Sequence, residues 1–150
     1  MRYVLVPILV CIMSCKVQKE AQPQGDPDIV LVAQDGFSGI LDYEAGVIRD
    51  VKSLNKFYSR INRTRKPGLP VPTIDFSKEM VVVLCLGSQK GEKVPVLSRS
   101  NESETGVSLA LELSNNASDK GLESEVVSYP FYVYKMPLSS KKMDIQKKGW

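Results

Sequence analysis

The side chains best suited to intermolecular chemistry form one basic run. Between Val51 and Pro72 the chain holds Lys52, Lys56, Arg60, Arg63, Arg65 and Lys66 and no carboxylate. Such a run attracts acidic surfaces, headgroups or glycans by Coulomb steering, so these six residues are the candidate partner-binding set. Between Asn101 and Glu125 the balance inverts: Glu102, Glu104, Glu112, Asp119, Glu123 and Glu125 meet only Lys120. With 20 basic and 17 acidic residues and a formal charge of +3, the chain is nearly neutral but segregated along its length. The bland expectation is a solvated helix face and polar loops that attract each other within the fold. The sharper one is a basic patch that docks a partner.

Reactive centres are scarce. Histidine is absent, which removes imidazole bases, triads and metal ligands. No cysteine pair has CxxC spacing, so a thiolate zinc site is not expected. The acidic stretch after Ser114 lacks the Asp-x-Asp-x-Asp-Gly spacing of a calcium loop. Neither a Gly-rich phosphate loop nor a GxSxG elbow occurs. Glu102 and Glu104 fall in a Ser/Asn-rich turn and read as solvated rather than as a glycosidase pair. No catalytic residue, metal site or cofactor is therefore expected. Cys85, in Val-Val-Val-Leu-Cys-Leu, reads as a small core residue, because a nucleophilic thiol needs an activating base.

The elements that position these residues begin with an address. Arg2 precedes an apolar run from Tyr3 to Met13, followed by Ser14 and Cys15. This pattern reads as a signal peptide over residues 1–14. The run is too short for a spanning helix, which needs roughly 20 apolar residues. Ile12-Met13-Ser14-Cys15 resembles a bacterial lipobox, which implies cleavage after Ser14 and acylation of Cys15. Two or more acyl chains anchor a protein stably, so a lipid-anchored cell-envelope protein is expected, with the outer membrane its expected site. Residues 15–28 are polar, with Pro and Gly, and read as a tether. Nucleic acid is not an expected partner behind a secretion signal.

One domain is expected over residues 29–137. Asp50 to Asn62 reads as the single helix. Val51, Leu54, Phe57, Tyr58 and Ile61 share an arc of about 120°, and Lys52, Lys56, Arg60 and Arg63 share an opposite arc of about 80°. Three prolines and a glycine between Thr64 and Pro72 end it. The rest reads as about six or seven strands, giving an α+β fold with a mainly antiparallel sheet. Ile29–Ala33 reads as a strand, and Ile40–Tyr43 and Gly46–Arg49 as a hairpin. Met80–Leu86, almost wholly apolar, is expected at the centre with both faces covered. Lys93–Arg99 reads as an edge or bulged strand because of Pro95. Thr105–Leu113 alternates with Val107, Leu109, Leu111 and Leu113 on one side. Glu125–Met136 is interrupted at Pro130, with Phe131 and Val133 on one face and Tyr132 and Tyr134 on the other. Asp75 and Ser77 are expected to fix a turn before the central strand. The Lys-rich tail, residues 138–150, is expected to fray.

The segment Val71-Pro72-Thr73-Ile74-Asp75-Phe76-Ser77-Lys78-Glu79, with the apolar strand to Leu86 and then Gly87, resembles the opening of the PrcB C-terminal domain family. Tyr132-Val133-Tyr134-Lys135-Met136-Pro137 is similar to that family's closing strand, and the helix with Leu54, Phe57 and Tyr58 to the segment before its motif. The family is named for a lipoprotein subunit of a bacterial surface protease complex. The resemblance implies a noncatalytic envelope accessory protein that binds a protein partner, by analogy a protease. The alternative is a glycan- or small-ligand-binding lipoprotein.

Overall fold

The computed structural model describes residues 25–91, 93–115 and 126–149. The signal segment, Cys15, most of the tether and nearly all of the loop expected at Ser114–Ser124 lie outside them. In chain order the elements are β1 (Val30–Asp35), β2 (Glu44–Ile48), α1 (Val51–Ile61), β3 (Glu79–Cys85), β4 (Gln89–Lys90), β5 (Lys93–Glu102), β6 (Gly106–Asn115), β7 (Val127–Ser128), β8 (Phe131–Pro137) and β9 (Lys142–Lys148).

The uniformly apolar β3 dictates the layering. A strand without a polar face must be covered twice. Val81, Val83 and Cys85 enter one core, with α1, and Met80, Val82 and Leu84 enter another, with β5 and β6. The result is three layers: helix, four-stranded sheet (β1-β8-β3-β2, all antiparallel) and three-stranded sheet (β5-β6-β9). The α+β architecture with one helix on a mainly antiparallel sheet is thus the one formed. Seven strands have five or more residues, and β4 and β7 form a two-residue ribbon between them.

The α1 boundaries follow its sequence signals. Asp50 caps the start by accepting from the Ser53 backbone N–H at 2.8 Å. Hydrogen bonds from Ser53 hold the Asp50 carboxyl below its ordinary range. Leu54, Phe57, Tyr58 and Ile61 are buried as the periodicity requires, whereas Val51 at the first turn is 57% exposed. The Asn62 amide then ties the following loop, donating to the Leu69 carbonyl at 2.9 Å and accepting from the Leu69 N–H at 2.8 Å.

The aromatic faces of β8 divide the work. Phe131 packs under the helix, edge-on to Phe57 at 6.0 Å between ring centroids. Tyr132 and Tyr134 face the second sheet and donate to the carbonyls of Lys93 at 3.1 Å and Pro95 at 2.8 Å. They bind one layer to the next, so they do not supply an exposed tyrosine surface. Asp75 makes the expected turn: its carboxylate accepts from the Ser77 N–H, and its carbonyl accepts from the N–H groups of Lys78 and Glu79.

Three expectations are corrected. Ile40–Tyr43 is a loop, not half of a hairpin; β2 pairs instead with β3, where Ile48 meets Val81 and Glu44 meets Cys85. The Lys-rich tail does not fray over Lys142–Lys148, which runs parallel to β6. Met143 and Ile145 pack on the second core, and the lysines on this edge strand discourage pairing with another chain. The tether ends earlier than residue 28. The Asp26 N–H donates to the Leu97 carbonyl at 3.3 Å, and Arg99 reaches Asp26 at 3.3 Å and Asp28 at 3.5 Å.

Candidate functional site

The apolar stripe of α1 faces the first sheet, so its basic side chains stand on the solvent side. Lys52, Lys56, Arg63 and Lys66 are exposed and form no ion pair among the described residues. They are available to a partner.

Arg60 and Arg65 are committed within the fold. Arg60, in the last turn of α1, forks onto the Glu44 carboxylate at the start of β2, with the Nη1–Oε1 contact at 2.7 Å. The Arg60 hydrogen bond holds the Glu44 carboxyl below its ordinary range, and Glu44 raises Arg60 in return. Both side chains are nearly half exposed, so water screens the pair to about 0–1 kcal/mol. Arg65 points inward instead. Its guanidinium donates to the Asp35 carboxylate at the end of β1 and to the Phe37 carbonyl, and lies 5.9 Å from the centre of the Phe37 ring. It therefore fixes the loop between β1 and β2. Alternating basic residues do not reveal which of them turn inward, because that depends on carboxylates distant in sequence.

The acidic stretch does not neutralise the helix among the described residues. Glu102 pairs with Lys141 at 2.7 Å and approaches Arg99 at 3.9 Å, and Lys141 holds its carboxyl below the ordinary range. Glu104 and Glu112 are exposed. Asp119, Lys120, Glu123 and Glu125 lie outside the described residues.

Cys85 ends β3 in the helix-side core at 1% exposure. Burial pushes its thiol up to about 12, opposite to what a nucleophile requires. Among the described residues, no group of three or more Cys, Asp or Glu is placed to hold a metal, and no helix is long and apolar enough to cross a membrane.

Several concavities flank the first sheet among the described residues. A cleft of about 340 Å³ between β1 and β5 is lined mainly by apolar residues, including Ile29, Leu31, Val94, Val96 and Leu97. A groove of about 400 Å³ runs along Gly39–Glu44 beside Arg60 and Arg63. The sequence reading did not single out Phe37 and Leu41, both exposed in the loop after β1. The signal was a large apolar residue between glycines, Gly36-Phe37-Ser38-Gly39, where a turn normally carries polar side chains. No family model, no curated protein and no solved structure matches the chain.

Proposed function

We propose that this chain is a noncatalytic bacterial cell-envelope lipoprotein, held to the membrane through Cys15, whose domain binds a protein partner. The observation that carries the reading is the basic face of α1, uncompensated among the described residues, where Lys52 and Lys56 continue into Arg63 and Lys66. This face is displayed on a helix whose opposite side is clamped by four buried residues, so little ordering entropy opposes its use. Such a face steers an acidic partner surface and weakens with salt. The lipobox resemblance of Ile12–Cys15 supports the anchor, and the PrcB-like segment supports a protease as the partner. The alternative, a glycan- or small-ligand-binding lipoprotein, draws on the apolar cleft between β1 and β5.

The test is recovery of the chain from detergent-solubilised membranes, wild type against Lys52→Glu/Lys56→Glu/Arg63→Glu. One stoichiometric protein partner, lost in the triple variant and at raised salt, is the expected result. Recovery of no partner together with a glycan-array hit sinks the reading in favour of the alternative.

A further inference from the structure

Charge alone seldom holds a partner; a stable contact also needs an apolar anchor. The first sheet has two ends. The chain enters at one, where Val30 lies opposite Lys135 and Glu79 opposite Pro137. At the other, Asp35 lies opposite Phe131 and Glu44 opposite Cys85. The loop from Gly36 to Tyr43 covers this far end, and its backbone is tied at successive points. The Phe37 N–H donates to the Asp35 carboxylate at 2.9 Å, and the Ser38 N–H to the Tyr129 carbonyl at 2.7 Å. Ser38 is 1% exposed, and its hydroxyl accepts from the Ile40 N–H at 3.1 Å. The Leu41 carbonyl accepts from the Ser88 N–H at 3.2 Å. Gly87, at φ 71°, lets the backbone of residues 41–43 approach to where any Cβ would sit 2.8–3.0 Å away.

This fixed loop presents large apolar side chains to water. Phe37 is 46% exposed and Leu41 is 67% exposed. Val127 on the β4–β7 ribbon is exposed nearby in the chain to Tyr129, which bridges to Phe37. Loops ordinarily place polar groups outward, and rigid apolar display of this kind favours burial against another surface at small entropic cost. The local charges state which surface. The carboxylates Asp35 and Glu44 are taken by Arg65 and Arg60. Arg63 lines the groove beside Leu41, and Lys66 and Lys90 are exposed. Asp42, in the same groove, forms no ion pair among the described residues.

We infer that the Gly36–Tyr43 loop is the apolar anchor of the partner interface. It takes an acidic segment of a protein carrying a large apolar side chain, which seats against Leu41 while its carboxylates meet Arg63. The inference deepens the partner-binding reading and rests on it. It also places the contact at the end remote from the entry of the chain, where Asp26 and Asp28 are held by Arg99.

The test uses the full chain in detergent micelles and fluorescence anisotropy with a short labelled peptide in which Glu residues surround one Phe and one Leu. A twin peptide carries Lys for every Glu. The acidic peptide is expected to bind about tenfold more tightly than its twin, and Leu41→Asp and Phe37→Ser each weaken it about tenfold. Arg63→Glu weakens it about fivefold. Leu41→Gln repeats the Leu41 result without a new charge, and circular dichroism confirms folding of each variant. Equal binding of the two peptides, or binding indifferent to both Leu41 variants, overturns the inference. So does binding to phosphatidylglycerol vesicles that Leu41→Asp abolishes while neither peptide binds, because the loop would then meet a membrane. A partner recovered from membranes without any peptide dependence on Leu41 removes this anchor alone. No partner and no peptide binding removes the partner-binding reading as well.

Discussion

Cys85 offers a quantitative check on the layered core. In the unfolded chain its thiol ionises near 9.0; in the fold, burial pushes it up to about 12, with Glu44 adding and Arg60 opposing. The raised value means that the fold prefers the protonated thiol. Its contribution to stability is complete below pH 9 and is lost as pH rises toward 12. Within that window each pH unit removes about 1.4 kcal/mol, so raising pH from 8 to 10.5 costs about 2 kcal/mol through this thiol alone. The perturbation is Cys85→Val, a near-isosteric replacement that cannot titrate. The assay is urea unfolding of both proteins by far-ultraviolet circular dichroism at the two pH values. Surface lysines and tyrosines titrate in both, so the difference of differences isolates Cys85. Wild type is expected to lose about 2 kcal/mol more than the variant. Equal losses would refute the burial argument, as would thiol labelling of folded wild type at pH 8 as fast as of an exposed cysteine.

Further outcomes follow from single side chains. The buried Tyr58 hydroxyl has no hydrogen-bond partner among the described residues, so Tyr58→Phe should raise stability by about 1 kcal/mol, read as a higher thermal midpoint. Gly87→Ala adds a Cβ against the backbone of residues 41–43 and strains a positive φ; it should cost more than about 1 kcal/mol in urea unfolding. Leu109 is fully buried in the second core, and Leu109→Ala should cost about 2–5 kcal/mol by the same assay. Truncation before Lys142 removes Met143 and Ile145 from that core and should cost at least about 2 kcal/mol, whereas a frayed tail would cost nothing.

The parts of the fold readable in the sequence are those whose residues answer only to their own periodicity. Leu54, Phe57, Tyr58 and Ile61 specify α1 because any core accepts their stripe; Asp50 and Ser53 both offer a local cap, and the fold uses Asp50 with Ser53 as its donor. Met80–Cys85 specifies its own centrality because it offers no polar face. The β9 strand was hidden because lysines dominate Lys142–Lys148 and only Met143 and Ile145 alternate inward; its parallel partner β6 begins 36 residues earlier. The residues of Ile40–Tyr43 have strand character, yet β3 already pairs with β2 and β8, and the loop is diverted by Ser38 and Gly87. For the candidate site, composition identified the basic run. It did not separate Arg60 and Arg65, bound to Glu44 and Asp35, from Lys52, Lys56, Arg63 and Lys66. That separation depends on β1 and β2, which lie 16 to 30 residues away in the chain.

The proposal that this domain is anchored and holds a protein at the membrane is tested most directly by following both molecules at once. Cells carrying wild type or Cys15→Ala are labelled with radioactive palmitate and fractionated, and the partner recovered with the chain is quantified in each fraction. Wild type should carry label and sediment with the membrane together with its partner, while Cys15→Ala loses the label and both proteins move to the soluble fraction. Label and membrane retention persisting in Cys15→Ala would contradict the anchor, and a partner left behind on the membrane would contradict its capture by this chain.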